Sequence, residues 1–155
     1  MRQETAGVTE SLLDSARKEF LDYGFHGASL RRISADSGVS TNSIYTRFKD
    51  KAGLFSAVVK PAADGLMDMY LGSISAAADS DDADKAESSG EQGTDLVLKY
   101  IYDNFDVFRL IFCCSAGTEY ENYFDSLVAI EEKYYRLFVD QYSTVDNRVN
   151  DFFIH

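Results

Sequence analysis

A glycine-containing turn between two short amphipathic segments constrains the fold of this chain more than any other feature of its sequence. Ser29 is a good N-cap for a short helix that ends at Ser37, where Gly38 interrupts the pattern. Ser40 can then cap a second short helix over residues 41–48. Two short helices joined by such a turn are typical of a helix-turn-helix motif.

Helical periodicity continues on both sides of this motif. Between Thr9 and Tyr23, apolar residues recur at three- and four-residue steps, so we predict a helix that Thr9 caps and Gly24 ends. Asp50 can cap a fourth helix, which keeps its apolar period for about 20 residues. Within it, Pro61 lacks a backbone donor and predicts a kink or a helix boundary.

The second half of the chain is also helical in its pattern. Residues 76–94 are small and acidic, which predicts a long, mobile connection. Residues 95–104 place apolar side chains on one helical face, and the almost wholly apolar residues 105–114 predict a helix buried on all sides. A long helix is expected to begin at Thr118, and a further apolar helix over 148–155 stops without a cap, as if the chain were truncated. Since no segment alternates as a strand does, the fold class is predicted to be all-α.

Charge is distributed unevenly along the 155 residues. The net charge of −11 argues against a protein that coats nucleic acid. Residues 31–60 nevertheless carry a net charge of +4, whereas residues 61–155 carry −13. A polyanionic partner is therefore expected to bind the N-terminal part of the chain.

The second helix of the motif has one apolar and one polar face. At about 100° per residue, Ile44 and Phe48 share the face that packs inward, and Asn42 and Thr46 lie opposite. Such a helix fits the major groove of DNA, where an Asn amide can bridge N6 and N7 of adenine. Phosphate contacts are expected at the rim, from the side chains Tyr45 and Lys51, and Arg31 could reach either a phosphate or a guanine edge.

Residues 9–58 resemble the DNA-binding head of the tetracycline-repressor (TetR/AcrR) family of bacterial transcriptional regulators. The resemblance rests on positions at specific spacings, namely Ala16, Phe20, Gly24, Phe25, Ile33, Gly38, Val39, Ser40, Ile44, Tyr45, Phe48, Lys51 and Leu54. The chain departs from the family pattern at four positions, namely Ser34, Ser37, Ala52 and Gly53. These departures affect helix packing and the start of the fourth helix, and they leave the groove-facing surface unchanged.

The resemblance implies a set of DNA-contacting residues. They lie in or next to the two helices of the motif and at the start of the following helix, and they are Ser29, Arg31, Thr41, Asn42, Ser43, Tyr45, Thr46, Arg47 and Lys51. The resemblance also implies a helix-turn-helix domain over residues 1–50 and a helical regulatory domain over residues 51–155. That second domain is expected to bind a small-molecule effector and to form a homodimer in the full-length protein.

An aromatic effector site is the second predicted site. Phenylalanine and tyrosine side chains suit a mostly apolar pocket with a few orienting hydroxyl groups, although each could equally belong to a plain helical core. The candidate lining residues are Met67, Tyr70, Phe108, Phe112, Tyr120, Tyr123 and Phe124. The mechanism expected from the resemblance is a repressor that leaves its palindromic operator when the effector binds.

Other function classes are disfavoured by the sequence. It contains no metal-ligand spacing, nucleophile elbow or phosphate-binding glycine loop, so we expect neither an enzyme nor a bound cofactor or metal. Cys113 and Cys114 are expected to be a buried structural pair rather than a redox sensor. The longest apolar run, residues 110–114, is too short to span a bilayer, and no secretory signal is visible, so a cytoplasmic location is expected. The alternative function is a helical protein-interaction module that has lost DNA binding.

Overall fold

The computed structural model describes residues 2–78 and 83–143, and these residues form helices joined by turns, with no strand among them. The predicted all-α fold class is thus confirmed. In chain order the helices are α1 (Arg2–Gly27), α2 (Leu30–Ser37), α3 (Thr41–Phe48), α4 (Lys51–Ala78), α5 (Ala83–Asp103), α6 (Phe105–Cys113) and α7 (Tyr123–Ser143).

The helix-turn-helix motif forms as predicted because its ends are capped by local hydrogen bonds. The Ser29 side chain accepts a hydrogen bond from the Arg32 N–H at the start of α2, and Ser40 accepts one from the Ser43 N–H at the start of α3. Gly38 ends α2 with a φ of 76°, which places it in the left-handed region that glycine tolerates best.

The ends of α1 and α4 differ in part from the prediction. α1 begins at Arg2, so Thr9 lies inside the helix and does not cap it. Gly24 adopts a φ of 72° and interrupts the helical conformation there, as its predicted role as a helix terminator requires. Asp50 caps α4 through a hydrogen bond from the Gly53 N–H, and the helix continues through Pro61 instead of ending there.

The described residues divide into two compact units. The first comprises the residues up to Gly65 together with Ile101–Tyr123, and the second comprises Leu66–Tyr100 and the residues from Phe124 onward. The predicted boundary between two domains at residue 50 stays a prediction. In the first unit, the largest fully buried side chains from α1 and α4 are Leu12, Phe20, Leu54, Phe55 and Val59.

Three expectations for the second half are wrong. The predicted connection over 76–94 is largely helical, because α4 extends to Ala78 and α5 begins at Ala83; residues 79–82 lie outside the described residues. The apolar segment 105–114 is not buried on all sides, since Phe105 is 59% exposed in α6. Thr118 belongs to a turn, because its hydroxyl donates to the Ser115 carbonyl, and α7 begins five residues later.

The second unit contains one close approach between helices. A Cβ atom added to Gly93 in α5 would lie 2.6 Å from the Cβ of Ser73 in α4, closer than packed atoms allow. Glycine is therefore needed where these two helices meet. None of the helices in the described ranges is long and apolar enough to cross a membrane. The predicted helix over 148–155 falls outside those ranges.

Candidate nucleic-acid interface

Helix α3 presents the polar face that the sequence predicts. Ile44 is completely buried and Phe48 partly buried, and these two side chains anchor the helix. Asn42 and Thr46 are exposed on the opposite face, and Tyr45 is 53% exposed beside them. The predicted orientation of this face is thus confirmed, whereas its contact with DNA stays a prediction.

Hydrogen bonds within α3 determine which polar groups remain available. The Thr46 hydroxyl donates to the carbonyl of Asn42 at 2.9 Å, so it presents acceptor lone pairs and a methyl group outward. The Ser40 hydroxyl donates to the Ser43 hydroxyl at 3.0 Å, which leaves the Ser43 proton free to donate. The Asn42 amide makes no hydrogen bond to the described residues. The Asn42 amide therefore has both its donor and its acceptor capacity uncommitted.

Two neighbouring arginines of α2 have different surroundings. Arg32 donates to the Glu19 carboxylate at 2.8 Å and to the Gly27 carbonyl at 2.9 Å, and its guanidinium lies 4.1 Å from the centre of the Tyr23 ring. The Glu19 hydrogen bond raises the pKa of Arg32. Arg31 is exposed and pairs with none of the described residues. Arg31 is thus free to bind an anion, whereas Arg32 positions α2 against α1.

The structural role of Arg32 and Glu19 was not predicted from the sequence. Glu19 is 8% exposed, and it also accepts a hydrogen bond from the backbone N–H of Ser29 at 2.9 Å. A buried carboxylate is stabilised only when such partners compensate its lost hydration. Because Ser29 and Arg32 follow Glu19 by 10 and 13 residues, no local sequence pattern indicates that they interact with it.

The remaining members of the predicted DNA-contacting set surround this face. Arg47 is exposed and donates from Nη1 to the Thr9 hydroxyl of α1 at 3.0 Å, which ties the end of α3 to α1. Thr41 is partly buried in the first turn of α3, and Ser29 caps α2 as a hydrogen-bond acceptor. The Ser29 hydroxyl proton can still be donated outward.

Lys51 is less available to a phosphate than the sequence suggests. Its ammonium donates to the carbonyls of His26 and Ala28, at 3.1 and 3.2 Å, and lies 4.9 Å from the centre of the Phe25 ring. The side chain is partly buried. Lys51 therefore joins the start of α4 to the loop between α1 and α2, and one of its three N–H donors remains for another partner.

We expect Lys51→Ala to lower the free energy of unfolding by about 1.5–3 kcal/mol, because two carbonyls lose a charged donor. Urea denaturation measures this change. Lys60→Ala is the matched control on the same helix, since Lys60 is exposed and pairs with Asp64 at the surface, and it should cost much less. Equal costs for the two variants would contradict the structural role of Lys51.

The aromatic residues predicted to line an effector site are distributed over both compact units. In the first unit, ring contacts join Phe108 to Phe112, Phe112 to Tyr123, and Tyr123 to Tyr120, with centroids 5.8–6.4 Å apart. The Tyr123 hydroxyl donates to the Ala63 carbonyl at 2.6 Å, and that of Tyr120 lies 3.4 Å from the Ser56 hydroxyl oxygen. These contacts are those of a packed core.

The other predicted effector residues belong to the second unit. Met67 and Tyr70 are partly buried on α4, and Phe124 is 59% exposed on α7. Burial, together with the nearby Glu131 carboxylate, raises the pKa of Tyr70 to about 12, so its hydroxyl stays protonated. The effector site stays a prediction. A cavity of about 220 Å³ lies elsewhere, between α1 and α2, and its lining includes the charged groups Lys18, Asp22, Arg32 and Asp36.

The predicted burial of the cysteine pair is wrong. Cys113, the last residue of α6, is exposed, and Cys114 is partly buried; both are free thiols. The apolar run predicted burial, and Phe108, Leu110 and Ile111 do pack inward, but the pair lies where α6 ends and the chain turns. Among the described residues, no group of three or more His, Cys, Asp and Glu side chains could hold a metal ion.

Comparison with known proteins locates the similarity in this N-terminal part. Residues 12–58 match the family model "Bacterial regulatory proteins, tetR family". The chain is 39% identical over 55 residues to the HTH-type transcriptional repressor Rv1474c of Mycobacterium tuberculosis, covering 36% of this chain and 29% of that protein. It is 35% identical over 51 residues to the HTH-type transcriptional repressor AcnR of Corynebacterium glutamicum, covering 33% and 27%. It is 37% identical over 57 residues to the HTH-type transcriptional regulator AcrR of Shigella flexneri, covering 37% and 26%. The chain thus spans less than a third of each relative's length.

Proposed function

Because residues 12–58 match the model of the tetR family of bacterial regulatory proteins, we propose that this chain is a transcriptional regulator of that family, which binds operator DNA through α3 and represses transcription. It acts without catalysis and in the cytoplasm. The two relatives from Mycobacterium and Corynebacterium are named as repressors, which supports the direction of regulation.

The uncommitted amide of Asn42 carries this proposal. It lies on the exposed face of a short helix whose opposite face is anchored by the buried Ile44. A helix enters the major groove with such a face, and an Asn amide that already bonded to its own helix could not read a base edge. Thr46 is exposed on the same face while its hydroxyl proton is donated to the Asn42 carbonyl, and a threonine methyl group suits contact with a thymine methyl.

The groups around Asn42 suit the phosphate backbone. Arg31 on α2 and the Tyr45 hydroxyl on α3 are exposed, and neither hydrogen-bonds to another described residue. Phosphate contacts position a protein on DNA, and base contacts then specify the sequence. We therefore assign positioning to Arg31 and Tyr45, and base recognition to Asn42 and Thr46.

The regulator is further proposed to act as a homodimer under the control of a small-molecule effector. Two heads on one dimer would bind successive major grooves of a palindromic operator, about 34–36 Å apart. An effector then releases the DNA if it binds one conformation of the dimer more tightly than the other. α4 begins next to the DNA-binding face and continues as one helix to Ala78. A movement of this helix on effector binding would therefore change the position of the DNA-binding face.

We expect Asn42→Ala to weaken binding to the operator by about 1–3 kcal/mol, which is about 5–150-fold in Kd. Fluorescence anisotropy measures this with the full-length protein, the DNA upstream of its own gene, and a scrambled duplex of equal length. Arg31→Ala should weaken binding to both duplexes alike and reduce the salt dependence, since a phosphate contact carries no sequence information.

Asp22→Ala is the matched control, because Asp22 is an exposed residue of α1 in the same unit. It should leave the preference for the operator unchanged. Binding that does not depend on salt, or an affinity that Asn42→Ala leaves unaltered, would contradict the proposal. The first of these results would favour a helical protein-interaction module, a role in keeping with the net charge of −13 over residues 61–155.

A further inference from the structure

The two cysteines at the end of α6 have an arrangement that the proposed regulator does not require. Cys113 is exposed at the last position of the helix, and Cys114 follows in a non-helical conformation, with φ of −124° and ψ of 11°. The two thiols thus belong to consecutive residues, of which Cys113 is exposed to solvent and Cys114 partly so. We propose that Cys113 and Cys114 form a two-thiol site that captures a trivalent organoarsenical.

The surroundings of the two cysteines favour arsenical capture over zinc binding and over peroxide sensing. Structural zinc takes four ligands, and no group of three or more suitable side chains occurs in the described part of the chain. Peroxide sensing needs a thiol of low pKa, which disfavours Cys114, because burial raises the pKa of that thiol and Arg109 opposes this only in part. A soft metalloid that carries one organic group needs only two sulfur ligands.

Capture by two thiols is a condensation without oxidation or reduction. With phenylarsine oxide, each cysteine forms one arsenic–sulfur bond, and the arsenic–oxygen bond breaks. The two thiol protons leave with that oxygen as one water molecule, and arsenic stays trivalent. Because neutral thiols take part, the raised pKa of Cys114 does not prevent the reaction.

The site is connected to the C-terminal end of α1. The Cys114 carbonyl accepts a hydrogen bond from the backbone N–H of Phe25 at 3.2 Å, and the Cys114 N–H donates to Leu110. Close by, Gly117 approaches the His26 ring so tightly that an added Cβ would lie 2.6 Å from it. A ring closed through both sulfur atoms and one arsenic restricts the backbone of Cys113 and Cys114, and the Cys114 carbonyl belongs to that backbone. We infer that capture weakens the Phe25–Cys114 hydrogen bond.

Intact-protein mass spectrometry and thiol titration test the capture on the whole chain. We expect one phenylarsine group per chain, with both thiols lost. The adduct should resist excess glutathione and be released by a dithiol. Cys113→Ser and Cys114→Ser leave one sulfur, and their adducts should exchange with glutathione about 100-fold faster, because the second bond is no longer intramolecular. Two arsenic groups per chain, or equal lability of native and variant adducts, would overturn the two-thiol site.

Amide hydrogen exchange tests whether capture weakens the hydrogen bond between the Phe25 N–H of α1 and the Cys114 carbonyl. We expect the Phe25 amide to exchange about tenfold faster in the adduct than in the free protein. Cys113→Ser treated with the same reagent is the control, since a single bond does not draw the two residues together, and its Phe25 exchange should not change. Unchanged exchange in the native adduct would overturn the connection. Any loss of DNA affinity in the adduct rests in addition on the proposed function, and neither measurement above depends on it.

Discussion

Phe55→Ala is expected to lower the free energy of unfolding by about 3–5 kcal/mol, the usual cost of removing a buried phenyl ring. Phe55 is completely buried on α4, and its ring centroid lies 5.0 Å from that of Phe20 and 5.6 Å from that of Phe25. It also lies 6.3 Å from the Tyr120 ring. The substitution therefore opens a cavity where α1, α4 and the turn before α7 meet.

Urea denaturation followed by circular dichroism measures this loss. A small domain is stable by about 5–15 kcal/mol, so Phe55→Ala can leave little folded protein. Phe55→Leu keeps most of the volume and should cost about 1–2 kcal/mol, which keeps the prediction measurable. Tyr102→Ala is the control, because Tyr102 is 80% exposed, and it should change stability by less than about 0.5 kcal/mol. Equal effects of Phe55→Ala and Tyr102→Ala would contradict the central position of this ring.

The helix-turn-helix motif was predictable because its interactions are local. Both caps join residues three positions apart, and Gly38 ends α2 through its own backbone conformation. The outward orientation of Asn42 follows from the helical period once Ile44 is anchored. Sequence patterns record such short-range relations directly.

The environment of Lys51 could not be predicted in this way. Its two carbonyl partners lie 23 and 25 residues earlier in the chain, and backbone carbonyls have no sequence signature. A lysine at the start of a helix thus looks available to a phosphate, although the fold gives it carbonyl partners. The same reasoning explains Arg31 and Arg32, which look alike in sequence and differ only because Glu19 and Tyr23 lie on the side of Arg32.

The errors in the second half have a different cause. Low apolar content predicted a connection over 76–94, but Ala, Glu, Lys and Gln have high intrinsic helix propensity, and α5 begins at Ala83. Thr118 was expected to cap a helix because threonine is a good N-cap. Its hydroxyl instead donates to the Ser115 carbonyl and accepts from the Tyr120 N–H, which stabilises a turn. The same residue type serves both purposes, and only the tertiary structure decides between them.

Gly53→Ala should lower the free energy of unfolding by about 3 kcal/mol, the upper part of the range for overpacking a tight site. The family resemblance marks Gly53 only as a departure in the first turn of α4, and the structure supplies a steric reason for glycine. A Cβ at this position would overlap the carbonyl oxygen of Phe48, the last residue of α3. Because the obstacle is backbone, the start of α4 would have to move, and with it the Asp50 cap on the Gly53 N–H.

Gly72→Ala provides a control with the same change in the same helix. A Cβ at Gly72 meets nothing within 4 Å, so alanine there should raise stability by about 0.5–1 kcal/mol through its better helix propensity. Urea denaturation of the two variants should therefore give changes of opposite sign. If Gly53→Ala also raised stability, helix propensity would dominate at both positions, and the close approach of α4 to Phe48 would not constrain the residue there. If instead it lowers stability as expected, the junction between α3 and α4 requires glycine, and that junction helps to position the proposed DNA-binding face of α3.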